Sequence, residues 1–216
     1  MPISLVWTER WCCAVADANG DQVIEAEVNA IVAALARGEV VAIPTDTVYG
    51  LAADPRSPDA MAALFALKQR PVGVPIAVLV SSIEMAKSIV KPTRAFDELA
   101  AKHWPGALTI VAEEQPDLGL HIGSTENATG VATVGVRVPD HGLIQRCASA
   151  FGPIAATSAN VHGTPTITDP REVRDVFGQA VNVVIDGGVL EGLASTVVDV
   201  TGPEVVILRQ GIVQVA

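Results

Sequence analysis

The chain is 216 residues long, 50% hydrophobic and only 18% charged, with a formal net charge of −10. That composition excludes an intrinsically disordered chain, and no apolar run reaches the roughly 18 residues that a bilayer span requires. With 14 Lys and Arg against 24 Asp and Glu, the surface would repel a polyanion, so a protein that grips nucleic acid by bulk charge is excluded too. Any anionic ligand must be held by a local group of cations.

Met1 to Trp11 has no cationic start, and its apolar run ends in Glu9 and Arg10, which does not read as a secretory signal. Cys12, Cys13 and Cys147 are too few and too badly spaced for a disulfide framework or a zinc site, and read as thiols of a reducing cytoplasm. Residues 1–20 read as an N-terminal extension and 21–216 as one domain. Asp21 precedes Ile24, Val28, Ile31, Val32 and Leu35, the spacing of one helix face, and Gly38 closes it. Val40–Ile43 is a buried strand ended by Pro44. Ser57-Pro58 is an N-cap with proline at the first helical position, opening a helix that buries Met61, Leu64 and Phe65 and runs to Lys68.

Strands are predicted at Ile76–Val80, Leu108–Ala112 and Val134–Val138, with helices from Ser82 and from Thr93. His141–Ala150 is a helix, Ile154–Ala156 a short strand, and Asp169-Pro170 opens a helix with Val173, Val176 and Phe177 inward. Strands at Val181–Ile185, Thr196–Val200 and Val205–Leu208 finish the chain. Helices and strands alternate first and strands cluster last. This predicts an α/β fold with helices packed on a twisted, mixed parallel and antiparallel sheet.

Several turns that leave buried strands hold hydroxyls, amides, glycines and cations. Pro44-Thr45-Asp46-Thr47-Val48-Tyr49-Gly50-Leu51 places two threonines in one turn, suited to an anion or an amino-acid headgroup, or simply to closing the turn itself. Lys68-Gln69-Arg70-Pro71 ends a helix that Pro71 forbids from continuing. Its cations either complement the helix dipole or clamp a phosphate, and the residues alone leave both open. Trp104-Pro105-Gly106-Ala107-Leu108-Thr109 feeds a strand, with Trp104 a core anchor. Ile154-Ala155-Ala156-Thr157-Ser158-Ala159-Asn160 leaves the core into small polar residues, continued to Thr166. No Gly-x-Ser-x-Gly elbow surrounds Ser158, so it is not a nucleophile. Gly187-Gly188 and Ser195-Thr196 precede a strand, and Leu208-Arg209-Gln210-Gly211 closes the last one. Neither a Walker A loop nor Gly-x-Gly-x-x-Gly is present, and His103, His121, His141 and His162 have no metal-ligand spacing.

Taken in order, seven pieces resemble the YrdC-like family, in particular the threonylcarbamoyl-AMP synthases of the TsaC type. They are Pro-Thr-Asp-Thr-Val-Tyr-Gly-Leu, Lys-x-Arg-Pro, Trp-Pro-Gly-x-Leu-Thr, Val-x-Val-Arg-Val-Pro, Ser-Ala-Asn, Asp-Gly-Gly with Ser-Thr-Val-Val-Asp, and Leu-Arg-x-Gly. The resemblance as a whole runs from about Ile24 to Gly211. The resemblance implies a single domain with a deep, locally positive cleft. It also implies a reaction, in which L-threonine, bicarbonate and ATP give threonylcarbamoyl-AMP and pyrophosphate. The product would pass to the machinery that modifies the adenosine beside the anticodon of certain tRNAs.

Carried over residue by residue, Thr47 would contact threonine, with Thr45, Ala156 and Ser195 lining the same pocket. Lys68, Arg70, Thr109, Ser158, Asn160, Thr166 and Arg209 would hold ATP, and Lys68, Arg70, Ser158 and Asn160 form the catalytic signature. Mg²⁺ would ride on the phosphates without direct protein ligands. The chain departs from the family at Val74, Leu79, Glu113, His162 and Gln210, which puts the amino-acid side of the pocket in question. The alternatives are a paralogue making a different carbamoyl-adenylate and a non-catalytic RNA-binding module. At −10, at most weak direct tRNA binding is expected.

Overall fold

The structure, a computed structural model, describes residues 20–69, 73–123, 125–127, 129–190 and 192–215. In chain order the first elements are α1 (Gly20–Ala36), β1 (Val41–Ile43), β2 (Gly50–Ala53), α2 (Pro58–Lys68) and β3 (Ala77–Leu79). Then come α3 (Ile83–Ile89), α4 (Arg94–His103), β4 (Leu108–Glu113), β5 (Thr125–Glu126) and β6 (Ala132–Arg137). The chain closes with α5 (Gly142–Phe151), β7 (Ile154–Ser158), α6 (Pro170–Phe177), β8 (Val183–Val184), β9 (Thr196–Asp199) and β10 (Val206–Arg209).

Local chemistry sets the helix ends. Ser57, Ser82, Thr93 and Asp169 each accept a backbone N–H of the first turn through the side chain, satisfying donors that have no intrahelical partner. Gly38 leaves α1 at a φ of +75°, a conformation that costs a residue without Cβ little. Trp104 is the core anchor expected, donating to the Leu108 carbonyl at 2.6 Å and meeting Phe96 edge to face.

The described strands form one sheet in the order β10-β9-β4-β6-β3-β7-β2-β1-β8, with β5 paired to β6. The pairs β1–β8, β3–β6 and β4–β9 are parallel and the remaining pairs are antiparallel, which makes the sheet mixed, as expected. Alternation assigns each strand's side chains to two faces. Leu51, Val78, Ile110, Val136 and Val198 meet α2, α3, α4 and α6 on one face. Val41, Ile43, Ala52, Leu79 and Ile154 meet α1 and α5 on the other. That second layer stops short. Over β6, β4 and β9 the same face carries Thr133, Gly135, Arg137, Thr109, Val111, Val197 and Asp199, which line a cleft.

Several expectations need correction. Gly50–Ala53 is a strand, where the sequence reads as the continuation of a turn. β7 runs to Ser158, so Thr157 and Ser158 belong to the sheet and not to the loop after it. β8 is limited to Val183–Val184, and the last strand is Val206–Arg209. Val176 does not point inward. It is 46% exposed, because Pro170, Val173 and Phe177 make the buried stripe of α6 and Val176 falls beside it. The N-terminal extension, apart from Gly20, lies outside the described residues, as do Cys12, Cys13 and Arg70.

Candidate active site

The cleft has a volume of about 580 Å³. Small residues make its floor: Ala77, Gly135 and Ala156 lie on neighbouring strands and face the same way. A Cβ on Gly135 would stand 3.3 Å from the Thr109 side chain and 3.6 Å from that of Val111, so bulk there would fill the cleft.

Of the residues proposed from the sequence, Thr45, Thr47, Thr109, Ala156, Ser158, Thr166, Ser195 and Arg209 all line this cleft. The Thr45–Val48 turn is self-bonded. Thr45 Oγ1 accepts the N–H groups of Thr47 (3.1 Å) and Val48 (3.2 Å), donates to the Val48 carbonyl (2.7 Å) and lies 2.9 Å from Thr47 Oγ1. Tyr49, next along, is buried and ties the turn to the loop after β8. Its hydroxyl donates to the Gly188 carbonyl at 2.8 Å and accepts the Gly187 N–H at 2.9 Å. Burial pushes the phenol up to about 12.

On the far wall, Thr109 Oγ1 and Ser195 Oγ are 3.0 Å apart. Arg209 donates to the Ser195 carbonyl through Nε (3.1 Å) and Nη2 (2.9 Å), and to Ser195 Oγ through Nη2 (3.0 Å).

Lys68 and Asn160 stand behind the cleft wall, not in its lining. Lys68 is 1% exposed at the end of α2. Its ammonium donates to the carbonyls of Ser158 (2.6 Å) and Asn160 (2.8 Å) and to Asn160 Oδ1 (3.0 Å). Asn160 Oδ1 also accepts the Ser158 hydroxyl at 2.6 Å, while Asn160 Nδ2 donates to the Val161 and Thr164 carbonyls. Lys68 is therefore neither a solvated dipole complement nor an open cation. Its charge is delivered to the end of β7 and the turn that follows it, at Ser158 and Asn160.

Many of the cleft residues were not among those proposed, and one of them is a cation. Arg137, inside the Val-x-Val-Arg-Val-Pro piece, is 6% exposed and lines the cleft. It donates through Nε to the Gly106 carbonyl (2.9 Å), through Nη1 to Thr47 Oγ1 (3.2 Å), and through Nη2 to Asp46 in an ion pair. Burial pulls its guanidinium below the ordinary arginine value, against the opposing charge of Asp46. Burial also lowers Arg209, and the Arg137 charge lowers it further, so the two cations feel each other. Arg137 and Arg209 bring two guanidinium groups to a lining that also holds the carboxylates Glu126 and Asp199, so positive charge is gathered locally and not over the whole cleft. The available signal was the alternation of β6, which puts Arg137 on the face of Thr133 and Gly135.

Among the residues where the chain departs from the family, Leu79 is buried and lines the cleft. Glu113 turns to Asn127 Nδ2 at 3.0 Å and to Lys91 at 3.7 Å.

Comparison with known proteins finds relatives over most of the chain. A Mycobacterium tuberculosis relative is 36% identical over 207 residues, covering 94% of this chain and 90% of its own length. The Bacillus subtilis threonylcarbamoyl-AMP synthase is 35% identical over 210 residues, 94% of this chain and 58% of that protein. The solved structure of Pyrococcus abyssi Sua5 complexed with L-threonine aligns with a TM-score of 0.77 at 33% identity, over 85% of this chain and 54% of that one. The chain thus spans little more than half the length of these last two relatives. The model of the Sua5/YciO/YrdC family, described as "Telomere recombination", matches residues 33–211. With most of its length matched in this way, the chain belongs to the Sua5/YciO/YrdC family.

Proposed function

We propose that this protein is an L-threonylcarbamoyladenylate synthase, forming threonylcarbamoyl-AMP and pyrophosphate from L-threonine, bicarbonate and ATP. The observation that carries the reading is a cleft whose two cations, Arg137 and Arg209, stand over a floor of small residues and between walls of hydroxyls. Relatives named threonylcarbamoyl-AMP synthase support it, as does a relative solved with L-threonine.

The chemistry asks for such a site. The threonine nitrogen attacks the bicarbonate carbon, a C–N bond forms and water leaves. A carbamate oxygen then attacks the α-phosphorus of ATP, and the bond to the leaving pyrophosphate breaks. Both reactants are anions, so the protein must offset their repulsion and hold them in line. In this reading Arg209, Thr109, Ser158 and Thr166 face the nucleotide, and Thr45, Thr47, Ala156 and Ser195 face threonine. Lys68 and Asn160 hold the Ser158 end of β7, and Arg70 joins the phosphate contacts. Mg²⁺ enters with the nucleotide, carried by its phosphates, and the product goes to a tRNA-modifying partner.

The test is pyrophosphate release from ATP with bicarbonate and threonine supplied together or singly. Release that needs both is the expected result. Equal release without threonine, or with any amino acid in its place, would overturn the threonine assignment.

A further inference from the structure

We infer that Thr196 is a positioning residue for the nucleotide, whose buried hydroxyl staples the chain after β10 onto the start of β9 and so holds Arg209 at the cleft. The inference rests on the synthase reading and deepens it.

Thr196 is buried and does not line the cleft, so it can act on a ligand only through its neighbours. A hydroxyl has one proton and two lone pairs, and here all three are engaged within the protein. Oγ1 accepts the N–H groups of Gly211 (3.0 Å) and Val213 (3.1 Å) and donates to the Val213 carbonyl (2.7 Å). The two residues before it take up the same stretch of chain. The Ala194 carbonyl accepts the Ile212 N–H at 3.3 Å, and Ser195 accepts Arg209 at both its carbonyl and its hydroxyl. Residues 194–196 are thus a cradle for residues 209–213. The two segments lie so close that a Cβ on Gly211 would stand 2.2 Å from the Ala194 carbonyl oxygen and 2.5 Å from the Thr196 nitrogen. Gln210, where the chain departs from the family, adds its amide to the carbonyls of Gly211 (3.0 Å) and Val213 (2.8 Å).

Arg209 needs this support. Among the described strands β10 is an edge, its four residues are all exposed, and its pairing with β9 shifts register between Ile207 and Arg209. A strand end with so few buried contacts opens easily. The cradle engages Nε and Nη2 of Arg209 and leaves Nη1 as the corner of the fork with no partner among the described residues. In the synthase reading that corner meets the phosphates of ATP. Ser195 is held independently of the tail, because the Thr196 N–H donates to the Ala107 carbonyl at 3.0 Å and β9 pairs with β4 from Thr196 onward. Removing the Thr196 hydroxyl therefore frees Arg209 and leaves the threonine side of the pocket in place.

The test compares Thr196→Val, which removes the hydroxyl, with Thr196→Ser, which keeps it, each alone and combined with Arg209→Gln. Calorimetry reads the affinity for ATP, and pyrophosphate release reads the KM values for ATP and threonine. Losing a hydrogen bond to a charged group weakens binding by about ten-fold or more. Thr196→Val is expected to lose this much in ATP affinity and in the KM for ATP, with the KM for threonine unchanged. Thr196→Ser should stay near wild type, and Thr196→Val should add little to Arg209→Gln.

Unaltered ATP affinity, both KM values rising in step, a Thr196→Ser protein as weak as Thr196→Val, or effects that multiply in the double variant would overturn the inference. Should Thr196→Val fail to fold, Gly211→Ala, which pushes the tail off the cradle, carries the same predictions. A wild type that binds ATP but releases no pyrophosphate with threonine overturns the synthase reading, while calorimetry still decides the role of Thr196. A wild type that binds no ATP overturns both.

Discussion

At the scale of single residues, Lys68 shows how burial changes what a side chain can do. A lysine that only complements a helix dipole contributes under about 1 kcal/mol, and its loss would leave turnover intact. Here the ammonium is shielded from water and bonded to the Ser158 and Asn160 carbonyls and to Asn160 Oδ1. Lys68→Met keeps much of the volume but strips those oxygens of their donor. Buried groups left unsatisfied cost about 1–3 kcal/mol, more where a charge was involved. The expected outcome is a lowered melting temperature together with a loss of about 10²-fold or more in threonine-dependent pyrophosphate release, a magnitude typical of losing a preorganised electrostatic contact. Thermal unfolding and turnover measured on the same preparation check it. Wild-type values in both would remove Lys68 from the site.

At the scale of elements, the connection between β1 and β2 is locked to the loop after β8 through Tyr49, whose hydroxyl bridges Gly187 and Gly188. The phenol is raised in the folded protein from 10.0 to about 12, chiefly by burial. Folding therefore favours the protonated phenol. Its contribution to stability is full below pH 10 and is lost as pH rises towards 12. Cys147, lifted from 9.0 to about 12 by its own burial, pulls in the same direction. Tyr49→Phe should therefore be less stable than wild type at neutral pH, and the gap should narrow between pH 10 and 12. Denaturant unfolding followed across that range checks the prediction, and a constant gap would sink it.

The same elements show what the sequence could and could not reveal. Helix ends were legible because Ser57, Ser82, Thr93 and Asp169 carry the capping chemistry in their own side chains. The strand Gly50–Ala53 was not legible, since its Gly-Leu-Ala-Ala has no β-branched residue and owes its conformation to pairing with β1 and β7. Most of the candidate residues were legible as polar turns leaving buried strands. Arg137 was missed because a lone cation on an alternating strand reads as solvent-facing, and only the tertiary ion pair with Asp46 makes it a buried one.

At the scale of the molecule, an acidic exterior surrounds a cleft that gathers two guanidinium groups. Long polyanions must approach across the exterior, whereas a nucleotide small enough to enter meets the cations directly. Free tRNA should therefore bind no more tightly than about 10⁻⁵ M at physiological salt, within the range of non-specific contacts. Whatever binding exists should fall when ATP is added, because both ligands seek the same cations. Filter binding with and without ATP checks this. Tight, ATP-insensitive tRNA binding would favour the RNA-binding reading over the synthase.

The loop that crosses the Thr47 turn also limits how this pocket can diversify. A Cβ on Gly192 would overlap the Thr47 carbonyl, and one on Gly187 would stand 2.6 Å from the Pro44 side chain. At Gly192 loop and turn are thus backbone against backbone, with no side chain there to trim. Room for a bulkier acyl group cannot be carved there. Variation can instead work on the sheet floor, where a larger residue at Ala77, Gly135 or Ala156 would make the cleft shallower and turn larger acyl groups away. A library aimed at new amino-acid substrates would therefore spend its diversity on those strand positions and leave both glycines alone.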